Sequence, residues 1–237
     1  MLYIIGLGLN EEGISKQGIE AVKKCSKVYL ENYTVDFPYS EKELEEIIGK
    51  KTISLGRNEV ESEKIVKEAG KEDVCLLIYG SPLTATTHIT IIEEALKNKI
   101  EYEIIYGASI FDAIAETGLQ IYKFGKITSM PKWTKSFTPK SFMEVVKQNK
   151  SIDAHSLILI DIGLELKDCL EELEESAKEY EIKIEKIILC SRLGTKEGKI
   201  LYKKIEELKK IDVKKPYCII IPSKMHFVEE EFLKNYN

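Results

Sequence analysis

Along its first half the chain alternates between short apolar runs and longer segments whose apolar positions recur at helical spacing, the signature of strand and helix taken in turn. Leu2-Tyr-Ile-Ile-Gly-Leu-Gly-Leu9 reads as a strand entering a glycine-bearing turn, and Ser15 as the cap of a helix running to about Cys25. Val28 to Glu31 is a second strand, and Ser40-Glu-Lys-Glu43 is a capping box opening a helix through Ile48. Thr52 to Leu55 and Val60 to Ala69 give a third strand and helix. Val74 to Ile78 is apolar and uncharged, between a charged segment and Gly80-Ser81-Pro82. It reads as a buried parallel strand emptying into a loop at its carboxyl end. A helix after His88, a strand at Tyr102 to Ile105 and a helix from Ser109 to Thr117 complete the alternation. Strands and helices in this order, with short connections, predict a parallel, doubly wound sheet covered on both faces.

The second half reads differently. Tyr122 to Thr138 is aromatic and irregular, and Ser141 to Asn149 is helical. An apolar strand follows at Ser156 to Asp161, then a charged amphipathic helix at Glu165 to Tyr180. Further strands fall at Lys186 to Leu193 and Cys218 to Pro222, with helices around Ile205 and Phe232. A domain boundary is expected where the first alternation ends, dividing the chain into 1–107 and 108–237.

The loop after Val74–Ile78 is where an open α/β sheet binds ligands. Gly80 lets backbone approach, Pro82 stiffens the turn, and Thr84, Thr86 and Thr87 supply compact hydroxyls. The same residues would also suit a tight turn and helix cap. Gly6-Leu-Gly8 lacks the third glycine of a dinucleotide-binding turn, and no P-loop or nucleophile elbow occurs.

Composition narrows the class. With 237 residues, 43% hydrophobic and 32% charged, the chain can bury a sizeable core, and its apolar runs fall far short of the ~20 residues that span a bilayer. No basic segment leads into an apolar one at the amino terminus, so no secretion signal is expected. Five cysteines with no CxxC pair suggest buried free thiols in a reducing cytoplasm, and three scattered histidines suggest no metal site. A net charge of −5 argues against generic nucleic-acid binding, and arginine occurs only at Arg57 and Arg192.

Several strand-end segments together resemble a known family. Leu2 to Leu9, Glu31-Asn-Tyr-Thr34, Ala85-Thr-Thr-His88, Ala108-Ser-Ile110, Thr117-Gly-Leu-Gln-Ile-Tyr-Lys-Phe-Gly125, Ser141-Phe142 and Ile220-Ile-Pro…His226-Phe227 are similar to the diphthine synthases. These are tetrapyrrole-methylase-like, S-adenosylmethionine-dependent (class III) methyltransferases. The resemblance implies two α/β domains, a parallel doubly wound sheet then a mixed one, with the cofactor in the cleft between them, in a cytoplasmic homodimer. It implies methylation of the amino group of a modified histidine (3-carboxy-3-aminopropyl-histidine) on translation elongation factor 2, giving diphthine, with no membrane or nucleic-acid partner. Carried over position by position, cofactor contacts fall on Leu9, Ser81, Thr84, Ser109, Ile110, Ile160, Tyr202 and His226. Ser81 and Thr84 depart from the family pattern, which has Asp and a branched apolar residue there.

The acceptor amine must lose a proton, and Asp161 and His226 are the candidate acceptors. Asp161 could instead cap the helix starting near Glu165, and His226 could be a satisfied polar residue. Trp133, with Lys132 and Lys135, could contact an acidic protein partner or decorate a solvated loop. Two other functions compete: a precorrin-type tetrapyrrole methyltransferase, and a cofactor-binding domain without catalysis. A tetrapyrrole's carboxylates call for clustered Arg and Lys, which the scarcity of arginine disfavours.

Overall fold

A computed structural model describes residues 1–237, which divide into two compact units, Met1–Asp112 and Ala113–Asn237. The first holds five strands: β1 (Leu2–Gly6), β2 (Lys27–Glu31), β3 (Ile53–Leu55), β4 (Val74–Ile78) and β5 (Tyr102–Ile105). They lie in the order β3-β2-β4-β1-β5, every pair parallel. Alternation along each strand sends side chains to opposite faces. Leu2, Ile4, Val74, Leu76 and Ile78 pack under Ile65, Ile91, Ile92 and Ala95 on one face. Tyr3, Ile5, Cys75 and Leu77 pack against Ala21, Val22, Leu44 and Ile48 on the other. The doubly wound sheet expected from the sequence is therefore present.

The second unit holds β6 (Thr128–Met130), β7 (Ser156–Ile160), β8 (Ile187–Ser191), β9 (Lys199–Lys203) and β10 (Tyr217–Ile221), in the order β6-β7-β10-β8-β9. Only the β6–β7 pair is parallel, so the sheet is mixed. One face is sealed by the helix Leu166–Glu179 through Leu166, Cys169, Leu170 and Leu173, together with Phe142, Met143 and Val146 of the helix Phe142–Ser151.

Most element boundaries agree with the sequence reading to within two residues, and the differences are local. The expected helix Val60 to Ala69 is broken into Arg57–Val60 and Lys64–Ala69. The expected helix from Ser109 is one α-turn, Ile110–Ala113, that tightens to a 3₁₀ turn at Ile114–Thr117 before Gly118. Edge strands β6 and β9 emerge where no strand was expected. All five cysteines are free and buried. No helix is long and apolar enough to cross a membrane.

Candidate active site

In the first unit, the carboxyl ends of three adjacent strands, β4, β1 and β5, carry glycine. Gly8 and Gly80 exchange backbone hydrogen bonds of 3.1 and 2.9 Å. A Cβ on Gly6 would lie 2.6 Å from the Gly80 carbonyl oxygen and 2.7 Å from the Gly107 nitrogen. One on Gly107 would lie 2.7 Å from both the Gly8 nitrogen and the Gly80 oxygen. Any side chain at either position would force backbone apart. Gly80 itself sits at φ +75°, a left-handed conformation that glycine adopts without steric cost. The edge of the sheet is thus a floor of peptide, with the Pro82 ring beside Gly6. The sequence reading picked out Gly6, Gly8 and Gly80 but not Gly107, whose only signal was its place directly after an apolar strand.

The five cofactor candidates of this unit surround that floor. Leu9 is buried, and its carbonyl accepts the Tyr79 hydroxyl at 3.0 Å. Ser81 and Thr84 are half-exposed in the β4 loop, closed by the Thr84 N–H donating to the Ser81 carbonyl at 3.1 Å. Ser109 is buried and its hydroxyl is engaged: it accepts the Phe111 N–H at 3.2 Å and donates to Asp112 Oδ2 at 3.0 Å, starting the turn on which Ile110 stands. The β4 loop ends at His88, which is 2% exposed. Its Nδ1–H donates to the Pro82 carbonyl at 3.2 Å, leaving Nε2 to accept the Tyr33 hydroxyl at 3.4 Å. Burial holds the His88 imidazole below its ordinary pKa. Two segments quoted for the family resemblance, Glu31 to Thr34 and Ala85 to His88, meet through this bond.

In the second unit the candidates fall at two ends of the sheet. Ile160 closes β7, level with the start of β10 (Cys218 pairs with Leu159). Tyr202 on β9 faces Ile188, and His226 follows the far end of β10, where Ile221 pairs with Ser156. Asp161 and the Ile221 end of β10, from which His226 follows, therefore stand at opposite ends of the strand pair, five residues or roughly 17 Å apart along the strand direction at ~3.3 Å per residue. Asp161 and His226 do not form a pair. Tyr202 is half-buried with Lys186 Nζ 4.8 Å from its ring centroid.

Asp161 is not a helix cap. The cap position of Leu166–Glu179 is Glu165, and Asp161 instead accepts the Lys132 N–H at 3.1 Å and the Ile162 N–H at 3.0 Å, one on each oxygen. It fastens the turn after β6 to the end of β7. Trp133 is likewise internal to its loop: its indole N–H donates to the Pro139 carbonyl at 3.1 Å, its backbone N–H to Glu172 at 3.1 Å, and Lys140 lies over its ring. The exposed aromatic of that loop is Phe137.

His226 caps the helix Phe227–Leu233, its Nδ1 accepting the Val228 N–H at 3.4 Å. Its own N–H donates at 2.6 Å to Glu229, a carboxylate with 0% exposure. Glu229 also accepts the Gln120 N–H at 2.9 Å, Lys123 Nζ at 2.5 Å and His155 Nε2 at 3.2 Å. His155 Nδ1 accepts the Ser223 N–H at 3.0 Å, which fixes the neutral tautomer with its proton on Nε2. Burial holds His155 below its ordinary pKa although Glu229 pulls the other way. For Glu229 burial raises the pKa, yet the four donors together bring it down to about 2. Gln120 and Lys123 lie in the Thr117–Gly125 segment and Glu229 follows the Ile220–Phe227 segment, so this carboxylate joins two of the stretches that carry the resemblance. The sequence reading missed it. The signal was present: a residue three positions after a cap, in a His-x-x-Glu spacing.

The match to the tetrapyrrole (corrin/porphyrin) methylase family model covers residues 1–209. The chain belongs to the tetrapyrrole methylase family. It is 38% identical to diphthine synthase of Methanocaldococcus jannaschii over 99% of this chain and 98% of that one. It is 42% identical to human diphthine methyl ester synthase over 76% of this chain and 64% of the human protein. A crystal structure of diphthine synthase superposes with a TM-score of 0.90 at 34% identity, covering 99% of this chain and 95% of the other. The glycine floor lies within the matched residues, and Glu229 lies beyond them.

Proposed function

We propose that this chain is the S-adenosylmethionine-dependent methyltransferase that methylates the amino group of 3-carboxy-3-aminopropyl-histidine on translation elongation factor 2, giving diphthine. The observation that carries the reading is the full-length identity to diphthine synthase, which spans both units. The first unit supports the cofactor. A peptide floor that any Cβ at Gly6 or Gly107 would fill, apolar walls at Leu9 and Ile110, and half-exposed hydroxyls at Ser81 and Thr84 suit a flat adenine and a polar tail. Ile160, Tyr202 and His226 are the second unit's contribution to the same reading.

S-adenosylmethionine supplies an already electrophilic methyl group, so the chain's task is to hold the acceptor amine in line and to receive its proton. Of the two proton-acceptor candidates, His226 is favoured. Both oxygens of Asp161 are already occupied by backbone N–H groups, whereas His226 is exposed and bonds only the first turn of its helix. The enzyme works in the cytoplasm as a homodimer, a placement that five free cysteines suit. A precorrin-type activity is disfavoured because only two arginines are available to bind a polycarboxylate.

The test is mass spectrometry of elongation factor 2 carrying the unmethylated intermediate, incubated with this protein and S-adenosylmethionine. Gains in steps of one methyl establish the reaction, and their number separates a diphthine product from a methyl ester. No gain, with cofactor binding intact by calorimetry, would mean a different acceptor.

A further inference from the structure

The two arginines of the chain have different fates. Arg192 is engaged within its own loop, with Nε donating to the Lys215 carbonyl at 2.8 Å and its guanidinium paired with Glu197. Arg57 follows β3 and is exposed, with its guanidinium 5.3 Å from the centroid of the Tyr33 ring and no carboxylate within ion-pair distance. The acids around it are otherwise directed. Glu31, buried at the end of β2, accepts the Tyr33 N–H at 3.0 Å and the Thr34 hydroxyl at 2.7 Å. Glu59 accepts the Gly56 N–H at 3.1 Å. Glu61 contributes to the field at Tyr33 and His88 but does not pair with Arg57.

Tyr33 is a fixed platform. Glu31 anchors its backbone, and its hydroxyl donates to His88, which is itself held by the Pro82 carbonyl. Edge-on contact with the His88 ring, centroids 6.4 Å apart, completes the clamp. A guanidinium on an aromatic face uses its π surface for that contact and keeps its in-plane N–H donors free. Those donors form a fork that matches a carboxylate. The fork stands at the carboxyl edge of the parallel sheet, beyond β2 and β3, and is linked through Tyr33 and His88 to the β4 loop that carries Ser81 and Thr84.

We infer that Arg57, seated on Tyr33, is the residue that reads the acceptor's carboxylate. The inference rests on the function proposed above. The acceptor group is an α-amino acid, whose amine must stay unpaired to attack a methyl group. Its carboxylate, on the same carbon, is the one charged handle a protein can grip without blocking the reaction. A forked contact at that carboxylate fixes the carbon and turns the amine outward. Arg57 is thus a specificity-determining residue, and Tyr33 with His88 positions it.

The experiment compares wild type, Arg57→Lys and Arg57→Ala on elongation factor 2 carrying the aminocarboxypropyl-histidine, and on the same acceptor with its side-chain carboxylate converted to a carboxamide. On the acid, Arg57→Ala should lose roughly 10- to 100-fold in kcat/KM and Arg57→Lys an intermediate amount, since lysine keeps the charge but not the fork. Cofactor affinity by calorimetry and melting temperature should match wild type. On the amide, wild type should fall to the level of Arg57→Ala, and Arg57→Ala should no longer distinguish acid from amide. Activity of Arg57→Ala within twofold of wild type on the acid would overturn the assignment. So would an equal acid-to-amide ratio in both proteins, or a parallel loss of cofactor affinity. If wild type transfers no methyl to either acceptor, the function itself fails and the assignment with it. Wild-type activity with an indifferent Arg57→Ala removes Arg57 alone.

Discussion

The loops flanking the two sheets solve the same problem by opposite means. In the first unit, Gly6, Gly8, Gly80 and Gly107 bring three strand ends together through backbone, with only the Pro82 ring beside Gly6. In the second, a buried carboxylate gathers a helix cap, a 3₁₀ turn, a lysine and a histidine. The first arrangement leaves no room for side chains at Gly6 and Gly107. The second uses charge to hold loops that no strand pairing holds. Their weak points differ accordingly: added volume in one, a lost charge in the other.

The largest effect should come from Glu229→Ala. It leaves the Lys123 ammonium, the His155 Nε2–H and two backbone N–H groups without their acceptor, at a cost of about 3–5 kcal/mol. Trp133, the one tryptophan, lies in the second unit, so urea unfolding followed by its fluorescence reads this directly. A cost below about 1 kcal/mol, the worth of one ordinary hydrogen bond, would mean that the four donors find water as easily as Glu229.

Next comes Gly107→Ala, expected to destabilise by about 1–3 kcal/mol and to abolish cofactor binding, because the new methyl meets backbone on two sides. Gly49→Ala is the control. Gly49 has φ +70° but nothing within 4 Å of an added Cβ, so its cost, about 1 kcal/mol, is conformational alone. Equal losses at the two positions, followed by far-UV circular dichroism, would contradict the close-packed floor.

Acid should also separate the two regions. Glu229 has a folded pKa of about 2, below its ordinary value, so its stabilisation is fully present above about pH 4.5 and is lost as pH falls toward 2. His155 is also lowered, chiefly by burial, so its contribution is present above about pH 6.5 and is lost as pH falls below that. Both have the same sign, and acid weakens the second unit in two stages. In Glu229→Ala the lower stage should flatten in the Trp133 fluorescence. A wild-type profile unchanged between pH 7 and 3 would break the account of the hub.

The same contrast explains what the sequence disclosed. Central strands such as Val74–Ile78 and Tyr217–Ile221 are uncharged apolar runs because both faces are covered, and that pattern is legible without a structure. Edge strands β6 and β9 carry polar or charged residues at exposed positions, Thr128-Ser-Met130 and Lys199-Ile-Leu-Tyr-Lys203, and so passed as loop. The candidate residues of the first unit lie directly after strands and are read from Gly80-Ser81-Pro82 or Ala108-Ser109. Glu229, His155 and the Tyr33–His88–Arg57 cluster depend on contacts between segments that are up to 109 positions apart, which no local spacing records. Asp161 looked like a cap because a helix follows it, but its partner Lys132 lies 29 residues upstream.

The smallest expected effects discriminate between Asp161 and His226. Asp161→Asn keeps one acceptor oxygen and loses one backbone hydrogen bond, a cost of about 1 kcal/mol. Because both carboxylate oxygens are already engaged, its single-turnover rate should follow pH as wild type does. His226→Ala removes a long cap bond of 3.4 Å, so stability should drop by only about 0.5 kcal/mol. Its backbone N–H still reaches Glu229, which keeps the loop in place. If the imidazole receives the amine's proton, the single-turnover rate of His226→Ala should fall while its stability hardly moves. A His226→Ala profile that matches wild type, beside a slow Asp161→Asn, would reverse the assignment and place the proton transfer at the Asp161 end of the β7–β10 sheet.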